Sequence, residues 1–169
     1  MERLFSPWRS QYIQSFKSPS EDKGCIFCNA FASSDDEKHL IVWREELAFV
    51  VMNLYPYNSG HMMVVPTRHT SDFTSLTSEE MSSAMRLLQV SHKALTEMSS
   101  PQGFNVGANL GRTAGAGIED HIHWHIVPRW NGDTNFMSTL ADVKVVSEDI
   151  MTQRRTLSDL FAKFLSAGK

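Results

Sequence analysis

His121-Ile122-His123-Trp124-His125 sets three imidazoles at alternate positions in an otherwise apolar run. Side chains alternate across a strand, so an extended segment here turns all three rings to one face, about 6.5–7 Å apart. Ile122, Trp124 and Ile126 then face the core. Histidine is the side chain most easily poised between neutral and charged near neutral pH. Three readings compete for such a row. The plainest is solvated histidines on an exposed strand. The second is a metal site built from two or three of them, since alternating histidines can chelate zinc. The third is catalysis, with a neutral ring attacking phosphorus and a neighbour handling the proton.

The residues just before the row bear on that choice. Asn109-Leu110-Gly111-Arg112-Thr113-Ala114-Gly115-Ala116-Gly117 runs straight into it. Glycines let backbone N–H groups approach an anion with no Cβ in the way. Alone, this loop reads as a flexible turn; beside three histidines it is a candidate phosphate cradle. Cys25-Ile26-Phe27-Cys28 holds both cysteines of the chain. It reads as a redox pair, half a zinc site or two buried thiols. A redox pair calls for a βαβ pattern that is absent here, and zinc needs two further ligands.

The elements that must position these groups follow from periodicity and turn chemistry. Ser6-Pro7-Trp8 opens a short helix from about Pro7 to Phe16. A polar loop spans Ala32 to Lys38. Leu40–Arg44 and Leu47–Asn53 flank Glu45-Glu46 as a hairpin. Turn residues crowd Leu54–Gly60, and His61–Val65 is a third strand ended by Pro66. Thr77-Ser78-Glu79-Glu80 has capping-box spacing, and Met81, Ala84, Met85, Leu88, Leu95 and Met98 recur behind it at helical period over about 20 residues. Phe104–Leu110 is a fourth strand, and Ile118–Pro128 carries the histidines. Val143–Val146 is a short strand, and Ser147 caps a closing helix with Ile150, Leu157, Leu160, Phe161 and Phe164 on its apolar stripe. Strands joined by hairpin-sized turns, with one long helix among them, make an antiparallel α+β architecture.

Bulk properties narrow the partners. The 169 residues suit one domain with one core. A net charge of −3 gives no surface for wrapping a polyanion, so nucleic acid is not an expected partner. No run approaches the roughly 18 apolar residues of a membrane span, and the N-terminus lacks a signal-peptide pattern. One cysteine pair is too little for a disulfide framework, and a reducing, cytoplasmic setting follows. His92, on the helix stripe, reads as a core-edge residue and His39 as a surface one. The nine methionines read as core, Arg154-Arg155 as a solvated helix face, and Trp130 as either packing or a substrate border.

The row His121-Ile122-His123-Trp124-His125-Ile126-Val127 resembles the signature of the histidine-triad superfamily. The likeness runs from Cys25 to about Phe136. It includes Cys25–Cys28, Met52-Asn53-Leu54, Ser59-Gly60-His61, Val64–His69, the glycine loop, and Pro128-Arg129. Asn53–His61 and Arg129–Phe136 are most similar to the bacterial diadenosine-polyphosphate hydrolase/phosphorylase branch. The resemblance implies a HIT-like fold, with an antiparallel sheet of about five strands, one long helix, and N- and C-terminal helices. A single domain over 1–169 would have its core at about 25–136, an extension at 1–24 and a strand–helix at 140–166.

The resemblance also implies roles. His123 would be the nucleophile, forming a nucleotidyl-histidine intermediate on the α-phosphate, and His125 would bond the transferred phosphate and assist the leaving group. Asn53 would hold the ribose, and Ile26, Phe27 and Leu54 the base. Asn109, Gly115, Ala116 and Gly117 would contact phosphate, with His61 beside them. Structural zinc would sit on Cys25, Cys28, His69 and His121, and magnesium would accompany the substrate phosphates without an obvious protein ligand. A homodimer is expected. The family often places Ser or Thr where Ala116 and Gly117 stand, so Thr113 or Arg112 becomes the candidate leaving-group donor. A nucleoside phosphoramidase, a non-catalytic nucleotide-binding adaptor and a three-histidine zinc hydrolase are the rival functions.

Overall fold

The computed structural model describes residues 24–133 and 149–166. The expected helix at Pro7–Phe16, the strand at Val143–Val146 and the Ser147 cap lie outside them. Among the described residues the chain forms α1 (Ile26–Ala32), β1 (Ile41–Arg44), β2 (Ala48–Met52), β3 (Met62–Pro66), α2 (Ser78–Ser99), β4 (Gly103–Ala108), β5 (Trp124–Arg129) and α3 (Ile150–Ser166). The five strands pair antiparallel in the order β1-β2-β3-β5-β4. The architecture is the expected α+β one, closed at the hairpin by Glu45 N–H donating to Ala48 O (3.0 Å).

Cross-strand partners share a face. Phe49 opposes Val65, Val51 opposes Met63, and Met63 opposes His125, so these five line one side of the sheet. α1 lies on that side, with Phe31 against Phe49 (ring centroids 5.2 Å). On the other side α2 packs across β2, β3 and β5, and α3 packs on β1 and α2. Both faces of the middle strands are thus covered, which is why β2 and β3 are buried at every residue and show no alternation.

α2 starts as its sequence predicts. Thr77 Oγ1 accepts the Glu80 N–H (3.2 Å) and Glu80 Oε2 accepts the Thr77 N–H (2.8 Å). Arg68 closes on the same carboxylate with two bonds of 2.7 Å. The Arg68 guanidinium and the Thr77 amide hold the Glu80 carboxyl down at about 2. His92 is exposed on this helix with its ring over Phe104, not at the core edge, and Met85 is exposed too.

α3 differs from expectation on one face. Asp149 accepts the Thr152 N–H (2.9 Å) at the N-terminal turn. Arg154 is buried and donates Nε–H to Ile41 O (2.8 Å), so it is not solvated; Arg155 is exposed and pairs with Glu37. Neighbouring Gln153 is buried. Its Oε1 accepts the Gly60 N–H (2.8 Å) and its Nε2 donates to Ser59 Oγ (2.7 Å). α3 therefore braces the turn that leads into His61. Gly60 is required there: φ is +80°, and a Cβ would stand 2.7 Å from Leu95.

The histidine row departs most from expectation. β5 begins only at Trp124, so His121 and His123 precede the strand. Both are buried, His121 at 0% and His123 at 5% exposure, while His125 is half-buried. The cause is α1. Phe27 lies 5.5 Å from the His121 ring and 5.0 Å from that of His123, roofing a face the sequence reading left open.

Candidate functional site

Two constellations meet at the histidine row. In the first, Cys25 ends the loop before α1, Cys28 sits one turn inside it, His69 follows β3, and His121 precedes β5. One donor atom from each lies within 4.8 Å of every other. A tetrahedral ion with zinc-like bonds sets N–N edges of about 3.3 Å and N–S edges of about 3.6 Å. The observed separations are 3.3 Å for His69 Nδ1–His121 Nδ1, and 3.3, 3.4 and 3.6 Å for Cys25–His121, Cys28–His69 and Cys28–His121. His121 Nε2–H donates to Pro66 O (2.9 Å), which leaves Nδ1 as a lone pair aimed at the sulfurs. Burial holds His121 below its ordinary value, keeping the ring neutral. The cluster thus fits a metal ion.

In the second, fixed main-chain partners set the tautomers. His123 Nδ1 is 2.8 Å from His121 O, and a carbonyl only accepts. The proton is therefore on Nδ1, and Nε2 carries the lone pair. Burial lowers the His123 pKa, so the ring is neutral and nucleophilic. His125 has the opposite arrangement. Tyr57 N–H, which only donates, points at His61 Nδ1 (3.1 Å), so His61 carries its proton on Nε2. That Nε2 donates to His125 Nδ1 (2.9 Å), and neutral His125 keeps its own hydrogen on Nε2. The two rings lie 4.9 Å apart. One offers a lone pair and the other a hydrogen.

The glycine loop is a 3-10 turn (Arg112–Ala114) between Gly111 and Gly115, both at positive φ. Asn109 Nδ2 donates to Gly115 O (3.3 Å) and Ala116 is buried. Arg112 and Thr113 are exposed, with Arg112 3.4 Å from Glu119. Of the expected base pocket, Ile26 and Leu54 are exposed at 48% and 61%, whereas Phe27 is buried against the His121 and His123 rings. Asn53 is half-buried, and its Oδ1 accepts the Tyr55 N–H (2.9 Å). Trp130 is half-buried, its Nε1–H donating to Ser99 O (3.3 Å). His39 is half-buried and is not among the four residues of the metal cluster.

Three contributors escape sequence reasoning: the Pro66 carbonyl, the Tyr57 N–H and the Gln153 brace. The first two are main-chain groups, which leave no residue-type signal, and the third pairs positions more than 90 residues apart.

A HIT domain matches residues 35–132. The chain belongs to the HIT family. It is 37% identical over 172 residues to an AP-4-A phosphorylase of Mycobacterium tuberculosis, covering 96% of this chain and 86% of that one. It is 27% identical over 136 residues to the adenosine 5'-monophosphoramidase hnt1 of Schizosaccharomyces pombe, covering 76% and 97%. Among solved structures it superposes on a Zn-bound histidine triad family protein from Mycobacterium smegmatis with a TM-score of 0.68 and 28% identity, covering 85% and 97%.

Proposed function

We propose that this HIT protein cleaves dinucleoside polyphosphates of the diadenosine tetraphosphate kind at the α-phosphate, through a nucleotidyl-histidine intermediate. The observation that carries the reading is the pair of hydrogen-bond chains, His121 O to His123 and Tyr57 N–H through His61 to His125, which imply opposite tautomers. His123 Nε2 attacks phosphorus; the N–P bond forms as the bond to the polyphosphate oxygen breaks. The ring gains positive charge, and its Nδ1–H bond to His121 O steadies it. His125 Nε2–H offers a hydrogen bond where charge builds on oxygen. In the second step an oxygen nucleophile breaks the N–P bond and the electron pair returns to the ring. Water gives the nucleoside monophosphate, and inorganic phosphate gives the diphosphate. The similarity to an AP-4-A phosphorylase favours phosphate. Asn53 holds the ribose, Ile26 and Leu54 flank the base, and Asn109 with the Gly115–Gly117 loop meets the phosphate.

The metal cluster is best read as structural zinc. Of the three triad histidines it takes only His121, which argues against a three-histidine zinc hydrolase. Among the described residues lining the cleft at His125, the one carboxylate is Asp133, and Arg129 and Asn58 take it up. The cleft therefore gives magnesium no ligand set. Two thiols kept for metal fit a reducing, cytoplasmic setting. No helix among the described residues is long and apolar enough to cross a membrane. A homodimer belongs to the same reading, with β4 at the sheet edge and Val106 56% exposed.

Turnover of diadenosine tetraphosphate with and without inorganic phosphate tests the reading. AMP and ATP are the expected products in water, and ADP and ATP with phosphate. A mass adduct on His123 should be trapped by rapid quenching and should vanish in His123→Asn, with turnover down more than about a thousandfold. Wild-type protein that binds AMP but forms neither adduct nor product would make the chain a nucleotide-binding adaptor. Turnover confined to adenosine phosphoramidate would make it a phosphoramidase, the activity named for the fission-yeast relative.

A further inference from the structure

Beyond His125 the sheet carries an open cleft of about 550 Å³, within the usual size of a small-molecule site. His125, Val127 and Arg129 follow one another along β5, on the face shared with Asn105 and Gly107 of β4, and Tyr57 stands at the side. It starts at Asn109, assigned to phosphate, and Ala114, and runs past His125 to Arg129 along β4, whose edge residue Val106 also lines it; the residues assigned to base and ribose take no part in it. We infer that it is the subsite for the second nucleoside, the one that leaves with the polyphosphate. The inference rests on the reading that a nucleotide is held over His123.

Two features select a nucleoside over bare phosphate. At the far end Arg129 is already spent. Its Nε (2.5 Å) and one terminal nitrogen (3.0 Å) bind Asp133, and the other terminal nitrogen (2.7 Å) binds Asn105. The Arg129 guanidinium and the Asn58 amide hold the Asp133 carboxyl well below the usual carboxylate range, so the pair stays ionised and neutral overall. A phosphate chain finds no unpaired cation there. The half-buried Tyr57 ring instead offers aromatic surface beside a floor closed by buried Val127, and Asn105 adds an amide, the mixture that suits a base and a ribose.

Gly107 supplies the second line of argument. It sits directly opposite His125 in the β4–β5 pairing. Its φ lies outside the left-handed region, and a Cβ there would meet no atom within 4 Å. Within one chain neither backbone strain nor close packing calls for glycine in mid-strand, where it weakens the element. What its missing side chain leaves is room above the floor beside His125.

The test measures what the second adenosine adds to binding. The His123→Asn variant stops turnover, and calorimetry then compares diadenosine tetraphosphate with adenosine 5'-tetraphosphate, which lacks only that adenosine. The dinucleotide is expected to bind at least tenfold more tightly. Adding Gly107→Val, or the bulkier Gly107→Phe, should collapse the ratio towards one while the thermal midpoint holds. Equal affinity for the two ligands, or a ratio unmoved by both substitutions, overturns the subsite. If AMP binds and the second adenosine adds nothing, the subsite falls and the catalytic reading stands. If AMP itself does not bind, the catalytic reading falls and the subsite falls with it.

Discussion

A neutral imidazole can offer a proton or a lone pair at either nitrogen, and here each choice traces back to a group with no choice at all. The His121 carbonyl can only accept, and the Tyr57 amide can only donate. His61 passes the second constraint to His125, and its own ring is fixed by stacking on Tyr57 at 4.8 Å. His61 is thus a positioning residue whose removal costs chemistry more than binding. In His61→Phe, His125 is free to put its hydrogen on Nδ1, and kcat should fall by on the order of a hundredfold or more, with KM nearly unchanged. His61→Gln, whose amide can still donate to His125, should recover part of the loss. A variant that raises KM and leaves kcat alone would show His61 acting on substrate instead. Burial changes the outlook for the nucleophile too. Because the ring is 5% exposed beneath Phe27, truncation in His123→Ala should also cost about 1–3 kcal/mol of stability.

Among the elements, α2 was legible because two independent signals agreed: the Thr77–Glu80 cap spacing and the apolar stripe. The hairpin and β3 were legible from β-branched runs and turn residues. α1 was not, since seven residues give too little periodicity to tell from a loop. That one omission turned a buried histidine row into an exposed one. Arg154 misled for a related reason, because a long cationic side chain reads as solvated until a carbonyl such as that of Ile41 is seen to receive it. The capping box carries a consequence that depends on pH. Glu80 is lowered from the usual 4.5 to about 2 by Arg68 and Thr77, so the folded state holds the charged form more tightly than the unfolded chain. The stability this provides is fully present above about pH 4.5 and fades as pH falls through about 2. Arg68→Ala should therefore be less stable than wild type in urea unfolding at pH 7, with the gap narrowing below pH 4. A gap that stays constant to pH 2.5 would assign the loss to packing. Thr77→Ala should cost about 1 kcal/mol.

At the scale of the molecule, the metal cluster ties together segments that no local pattern connects: α1, the turn after β3, and the lead-in to β5. Cys25 and His121 are 96 residues apart, and only the family resemblance linked them before their geometry was known. The cleft past His125 was not anticipated at all, because its floor is glycine, valine and paired polar groups with no motif of their own. The cluster also reaches the chemistry through one residue. His121 gives its Nδ1 to the metal site and its carbonyl to His123, while α1 holds Phe27 over both rings. A seven-residue helix is far too short to persist alone in water, so α1 depends on what anchors it. Zinc-loaded protein should contain about one zinc per chain. Stripping it should lower the thermal midpoint by several degrees and speed amide exchange across residues 26–32 before other segments respond. Cys28→Ser should reproduce the loosened α1 without a chelator, and returning zinc should rescue the stripped wild type but not the variant. Activity should decline in step with the loss of α1 protection, as Phe27 lifts from His123, and not with the first contact of chelator. Stripped protein with full protection across α1 and an unchanged midpoint would separate the metal from the fold, and the zinc assignment would fail with it.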